Sequence, residues 1–116
     1  MNKQIAELFN NFTVDGVRIP VKFMHYNGTG EPYILDQNTN DDGILEADDV
    51  WQGMWCHYDF DVYSKGNYLQ IIEELKDTLI DAGWIFCPSL CSPDFYEADT
   101  GYYHKTLAFK KQKMID

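Results

Sequence analysis

Asn38, Asn40, Asp42, Gly43, Leu45, Glu46 and Asp49 stand at the relative spacing of ligand and turn positions in a calcium-binding loop. In such a loop a glycine makes the sharp turn while alternating oxygens surround a hard cation. Two positions depart from the pattern. The first is Asn rather than Asp, and the last is Asp where a bidentate Glu belongs. The flanking residues also alternate like strands, whereas an EF-hand needs two helices. Residues 36–50 therefore read as an acidic, glycine-punctuated surface loop, with calcium binding as an alternative.

The other candidate chemistries are weaker. Cys87-Pro88-Ser89-Leu90-Cys91 places three residues between its thiols, where zinc and redox motifs usually place two. Zinc would need further ligands from Cys56, His57, His25 or His104, and alternation turns Cys56 and His57 to opposite strand faces. A Cys/His nucleophilic pair lacks any oxyanion glycine run or nucleophile elbow. Asp59 and Asp61 leave one strand face about 7 Å apart at the usual strand rise. That suits acid–base work, but two carboxylates on a wet face also simply keep it soluble. Gly28 and Gly30 lie in a turn that opens no helix, so they make no phosphate cradle. No catalytic residue, metal or cofactor is assigned, and the chain reads as a non-enzyme.

Trp51, Trp55, Tyr63, Tyr96, Tyr102 and Tyr103 fall on loops or on strand faces outside the expected core. Together they mark either a protein-binding surface or a second small core beneath the loops.

The elements that must position these residues follow from periodicity. Ile5, Leu8, Phe9 and Phe12 form the stripe of a first helix that Asp15-Gly16 would stop. Ile19, Val21 and Phe23 alternate with Arg18, Lys22 and Met24 as a strand, Asn27-Gly28-Thr29-Gly30 turns, and Tyr33-Ile34-Leu35 begins another. From Met54 to Tyr63 the alternation is clearest, with Met54, Cys56, Tyr58, Phe60 and Val62 facing the core. Asn67, with Gln70 behind it, caps a long helix whose buried stripe is Tyr68, Ile72, Leu75, Leu79 and Ala82, closed by Gly83. Residues 84–87 and 102–109 read as strands. The expectation is one α+β domain over residues 1–116, in the order α-β-β-β-α-β-β. It has an antiparallel sheet, both helices on one face, and long loops over about 36–53 and 88–101.

Composition bounds the function. The chain has 116 residues, 45% of them hydrophobic, enough for one packed core. Its 9 Lys+Arg against 19 Asp+Glu give a net charge of −10, which opposes direct gripping of nucleic acid. The acids crowd between Lys22 and Lys65, a stretch without a basic residue, while Lys105, Lys110, Lys111 and Lys113 gather near the C-terminus. That asymmetry suits a head-to-tail contact between copies. Reversing Lys110, Lys111 and Lys113 is expected to weaken self-assembly and leave the fold intact. Three cysteines without framework spacing fit a reducing compartment, and neither a signal peptide nor an apolar run of bilayer length is visible. Asn11-Phe12-Thr13 and Asn27-Gly28-Thr29 match the glycosylation tripeptide, but that tripeptide is common by chance. The chain reads as soluble and intracellular.

Four stretches carry a family resemblance: Pro20-Val-Lys-Phe-Met-His-Tyr-Asn-Gly28, Glu31-Pro-Tyr-Ile34, Asp59-Phe-Asp-Val-Tyr-Ser-Lys-Gly-Asn-Tyr68 and Asp99-Thr-Gly-Tyr-Tyr-His-Lys105. With them the chain resembles the tail-terminator proteins of long-tailed phages and prophages, also called tail-completion or tail-to-head joining proteins. The resemblance implies an α+β subunit that assembles as a six-fold ring on the finished tail tube. The ring would stop tube growth and offer a surface to the head–tail connector, as part of a virion assembled in the host cytoplasm. DNA would pass through an acidic ring without specific binding, and no membrane is involved. A head-completion or connector protein of the same module is the nearest alternative. The resemblance transfers no individual site residue.

Overall fold

The computed structural model describes residues 1–28, 32–45, 51–66 and 68–114. The Thr29-Gly30 part of the expected turn, the Asn67 cap, Glu46, Asp49 and the side chain of Trp51 lie outside the described residues. Among the described residues there are two α-helices and eight strands: α1 (Asn2–Leu8), β1 (Thr13–Val14), β2 (Val17–Arg18), β3 (Val21–Phe23), β4 (Tyr33–Leu45), β5 (Trp51–Ser64), α2 (Tyr68–Asp81), β6 (Ile85–Phe86), β7 (Phe95–Glu97) and β8 (Tyr102–Met114). The α+β class is as expected, and the element order follows the expected one in outline.

The main sheet runs β3-β4-β5-β8-β6, with β7 also pairing β8. Its backbone is three long strands: β5 lies antiparallel between β4 and β8, so Asp36, Phe60 and Leu107 share one rung. At the usual rise per residue a strand of this length approaches about 50 Å, which accounts for the 54 Å long axis of the molecule.

One sheet face is covered. Ile5 of α1, Phe9 and Phe12 after it, and Ile71, Ile72, Leu75 and Leu79 of α2 pack in one core with Cys56, Tyr58, Phe60 and Val62 of β5 and with Leu107 and Phe109 of β8. The β5 alternation therefore places its faces as expected. Phe60 has no exposed surface and meets Phe9, Trp84 and Phe109 at ring separations of 5.7–6.2 Å.

The end of α2 shows why Gly83 is needed. The Trp84 amide donates to the Leu79 carbonyl at 2.9 Å and the Gly83 amide to the Ile80 carbonyl at 3.0 Å, which is the Schellman pattern. It requires a left-handed residue, and Gly83 has φ +95°. The ammonium of Lys111 then caps the free Ala82 carbonyl at 2.8 Å. Lys111 is thus part of the fold, which corrects the expectation that it can be reversed at no structural cost.

Four expectations need correction. First, α1 ends at Leu8, and Leu8 itself is exposed. Asp15-Gly16, with φ of +52° and +78°, instead turns the β1–β2 hairpin, the role of an Asp-Gly pair in a tight two-residue connection. Second, Ile19 is buried but precedes the strand: β3 begins at Val21 and pairs parallel to β4, Val21 opposite Ile34. Third, the expected loop at 36–53 is largely strand, since β4 runs through Leu45 and β5 starts at Trp51. Fourth, the expected loop at 88–101 contains a turn of 3-10 helix at Pro88–Leu90 and strand β7. These pieces run along the outer edge of β8: the Cys87 amide donates to the Ala108 carbonyl and the Ser92 amide to the Thr106 carbonyl.

Candidate interaction surface

The sheet face away from the helices carries a row of rings. Tyr33, Tyr63 and His104 share one rung across β4, β5 and β8. Tyr63 lies between Tyr33, at 4.8 Å and 17°, and His104, at 4.3 Å and 8°. Tyr26 extends the row past Tyr33 at 5.1 Å, and Phe95 of β7 extends it past His104 at 6.0 Å. Tyr102 stands edge-on to both Tyr33 and Tyr63, with the Lys65 ammonium 5.2 Å over its ring. Strands order this row because opposed residues on one face stand about 4.5–5.5 Å apart at Cβ, a ring-stacking distance. Burial pushes the Tyr33 and Tyr63 hydroxyls up, so both remain neutral near pH 7. The buried Nε2 of His104 has no hydrogen-bond partner among the described residues.

A smaller group of rings sits on the covered side beside the start of α2. Tyr103 meets Tyr68 at 5.4 Å and Tyr96 at 4.9 Å. The Tyr68 hydroxyl donates to Asp94 at 2.5 Å, and Lys105 reaches the same carboxylate at 3.4 Å. The Tyr68 bond and the Lys105 charge hold Asp94 below the ordinary carboxylate range. Leu69 and Tyr96 remain exposed beside them. The expected aromatic set is therefore divided. Tyr63 and Tyr102 belong to the open-face row, Tyr96 and Tyr103 to the α2 side, and Trp55 lies under the Lys110 ammonium at 4.6 Å.

Asp59 and Asp61 do point from the open face, both half-buried. Asp61 accepts a hydrogen bond from Thr106 at 2.6 Å, an attachment that holds the sheet together. Burial, with a smaller contribution from Asp61, raises the pKa of Asp59.

The described part of the calcium pattern is strand rather than loop. Asn38, Asn40 and Asp42 are stretched along β4, and neighbours occupy their side chains. Asn38 donates to Asp41 at 3.0 Å, Asn40 to Asp42 at 3.0 Å, and the other Asp42 oxygen meets His57 Nε2 at 3.0 Å. An extended strand cannot wrap oxygens around one cation. Among the described residues no group of three His, Cys, Asp or Glu could hold a metal. Cys56, Cys87 and Cys91 are free thiols. Cys91 ties down the edge segment, donating to the Cys87 carbonyl and accepting from the Ala108 amide at 3.4 Å.

Periodicity missed Asp36. Placed in the supposed loop, it is in fact a β4 residue on the covered face, 4% exposed and opposite Phe60. It lines a cavity of about 250 Å³ between α1 and β3, together with Asn2, Asn10, Arg18 and Lys22. Burial pushes its pKa up to about 6. Only the register of β4 against β5 reveals this. The nearby Tyr58 hydroxyl, which donates to Asn2, is pushed up to about 12 for the same reason, loss of water.

No family model and no curated protein matches the chain.

The open face offers stacked rings flanked by hydroxyls, carboxylates and lysines, a mixture found at the centre and rim of protein interfaces. No described helix of the structure is long and apolar enough to cross a membrane.

Proposed function

We propose that this protein is a structural subunit of a phage or prophage tail, a terminator that assembles as a six-fold ring on the end of the tail tube and presents a surface to the head–tail connector. The observation that carries the reading is the row of rings from Tyr26 to Phe95 on the uncovered sheet face. A face of that kind is a protein-docking surface, because aromatic rings give large contact area at small entropic cost. The four sequence stretches that resemble tail terminators supply the partner class. The net charge of −10 adds that DNA passing the subunit would be repelled rather than held.

Electron microscopy of particles from a phage or prophage lacking this gene tests the reading. Overlong or ragged tails beside separate filled heads are expected. Normal-length tails beside heads that leak DNA would transfer the protein to the head side of the joint. Normal infectious particles would overturn the assembly role.

A further inference from the structure

The long strands end in two unlike free edges. On its outer side β4 is paired by β3 only at Ile34–Asp36, so among the described residues Gln37–Leu45 has no strand neighbour there. On the opposite side of the sheet, β6 pairs β8 only at Phe109 and Lys110, and Lys111–Met114 has none. Such edges are rows of unmet backbone donors and acceptors, ready to take another strand. Asp41 and Asp42 mark the first edge; Lys111 and Lys113 mark the second, with Lys110 at the last paired position before it. Their levels and faces also agree. Asp41, Cys56 and Lys111 share one rung, so Asp41, Lys111 and Lys113 lie on the covered face, while Asp42 and Lys110 lie on the open one.

We infer that a second copy of this chain pairs its β4 edge with the β8 edge of the first, in parallel, continuing the sheet from subunit to subunit. Charge selects the pairing. Joining β4 to β4 would set acids against acids, and β8 to β8 lysines against lysines, whereas β4 to β8 sets opposite charges side by side on both faces. Direction follows from symmetry. Within one chain β4 and β8 run the same way, both antiparallel to β5. Copies related by rotation about an axis along the strands therefore meet parallel, and such a contact closes into a ring. An antiparallel contact would invert every second copy and could not come from that rotation. The inference rests on the self-association in the proposed function and names the surface that performs it.

Two charge-swapped variants test it. In one, Asp41→Lys and Asp42→Lys make both edges basic; in the other, Lys110→Glu and Lys113→Glu make both acidic. Lys111 is left alone because it caps α2. In sedimentation velocity at about 0.15 M salt, wild type is expected to form a closed oligomer and each variant alone to remain monomeric. The two mixed in equal amounts should co-assemble with an even number of subunits. Either variant assembling alone like wild type would overturn the pairing, as would wild type that stays monomeric up to its solubility limit. Hydrogen exchange on unmodified protein gives a check independent of variant folding. Amides in 37–42 and 111–113 should gain protection on assembly, and unchanged exchange in an assembled oligomer overturns the inference. In that last case the ring reading still stands. Normal particles from the gene deletion would instead remove the tail role while leaving edge pairing in solution intact.

Discussion

Asp36 is the residue whose surroundings most oppose its chemistry. Its carboxyl sits on the covered face opposite Phe60. Burial lifts its pKa from 3.8 to about 6, so the folded protein binds a proton there that the unfolded chain releases. The folded state binds more protons between those values, so stability falls as pH rises from about 4 to 6 and stays lower above. A shift of this size corresponds to roughly 3 kcal/mol at most, at about 1.4 kcal/mol per unit. Asp36→Asn should therefore raise the melting temperature at pH 8 and flatten the pH dependence between 4 and 6. Thermal melts of both proteins across that range are the check, and parallel curves would show that the cavity hydrates the carboxylate fully. Asp59, raised by burial to a smaller extent, acts in the same direction.

At the scale of elements, α2 and β5 were legible and β4 was not. The stripe from Tyr68 to Leu79, followed by Gly83, states a helix with its stop, and ten alternating residues from Met54 state a half-buried strand. From Asp36 to Gly43 the run is polar, with Asn, Asp and Gly that disfavour strands. What holds it extended is the ladder to β5 from Tyr33 to Leu45, interrupted at Thr39 and again between Ile44 and Leu45, and local periodicity cannot express a long-range pairing. The same limit hid Asp36 and the row of rings, since Tyr33, Tyr63 and His104 meet only across three strands. Asp15-Gly16 misled for a different reason: an Asp-Gly pair serves a helix end and a hairpin equally well.

The end of α2 can be tested at this scale. Gly83→Ala places a Cβ at φ +95°, and its expected cost is about 1 kcal/mol. Lys111→Ala leaves the Ala82 carbonyl without its partner, with an expected loss of about 1 kcal/mol. The two sites share one turn, so the double variant should lose less than the sum of the single ones. Urea unfolding of the four proteins measures all three quantities. Phe60→Ala, which removes the fully buried ring that meets Phe9, Trp84 and Phe109, should cost far more, about 3–5 kcal/mol.

For the whole molecule the governing fact is the separation of charge across the sheet. The β4 edge carries the acids and the β8 edge the lysines, while the total stays at −10. Exposed charges farther apart than about 10 Å stop sensing one another at 0.1 M salt, and the distance falls to about 3 Å at 1 M. Raising salt should therefore have two opposite effects. General repulsion between acidic copies is screened, which favours association, and the edge-to-edge attraction is screened too, which opposes it. Close contacts across an edge outlast diffuse repulsion as salt rises. Sedimentation from about 0.05 to 1 M should accordingly show assembly strongest at intermediate salt, and a steady decline from the lowest salt would mean that the diffuse repulsion is negligible.

The twelve paired positions that join β5 to each neighbour also determine how the subunit carries load. Hydrogen bonds of an antiparallel pair lie perpendicular to the strands. Tension along the 54 Å axis therefore shears every rung of β4-β5-β8 at once, and none yields before the others. Tension across the sheet would open the rungs one after another, like a zipper. The arrangement is expected to be stiff lengthwise and weak sideways, so a force probe pulling the Tyr33 end of β4 against the Met114 end of β8 should meet a much higher rupture force than one pulling β4 and β8 apart across the sheet.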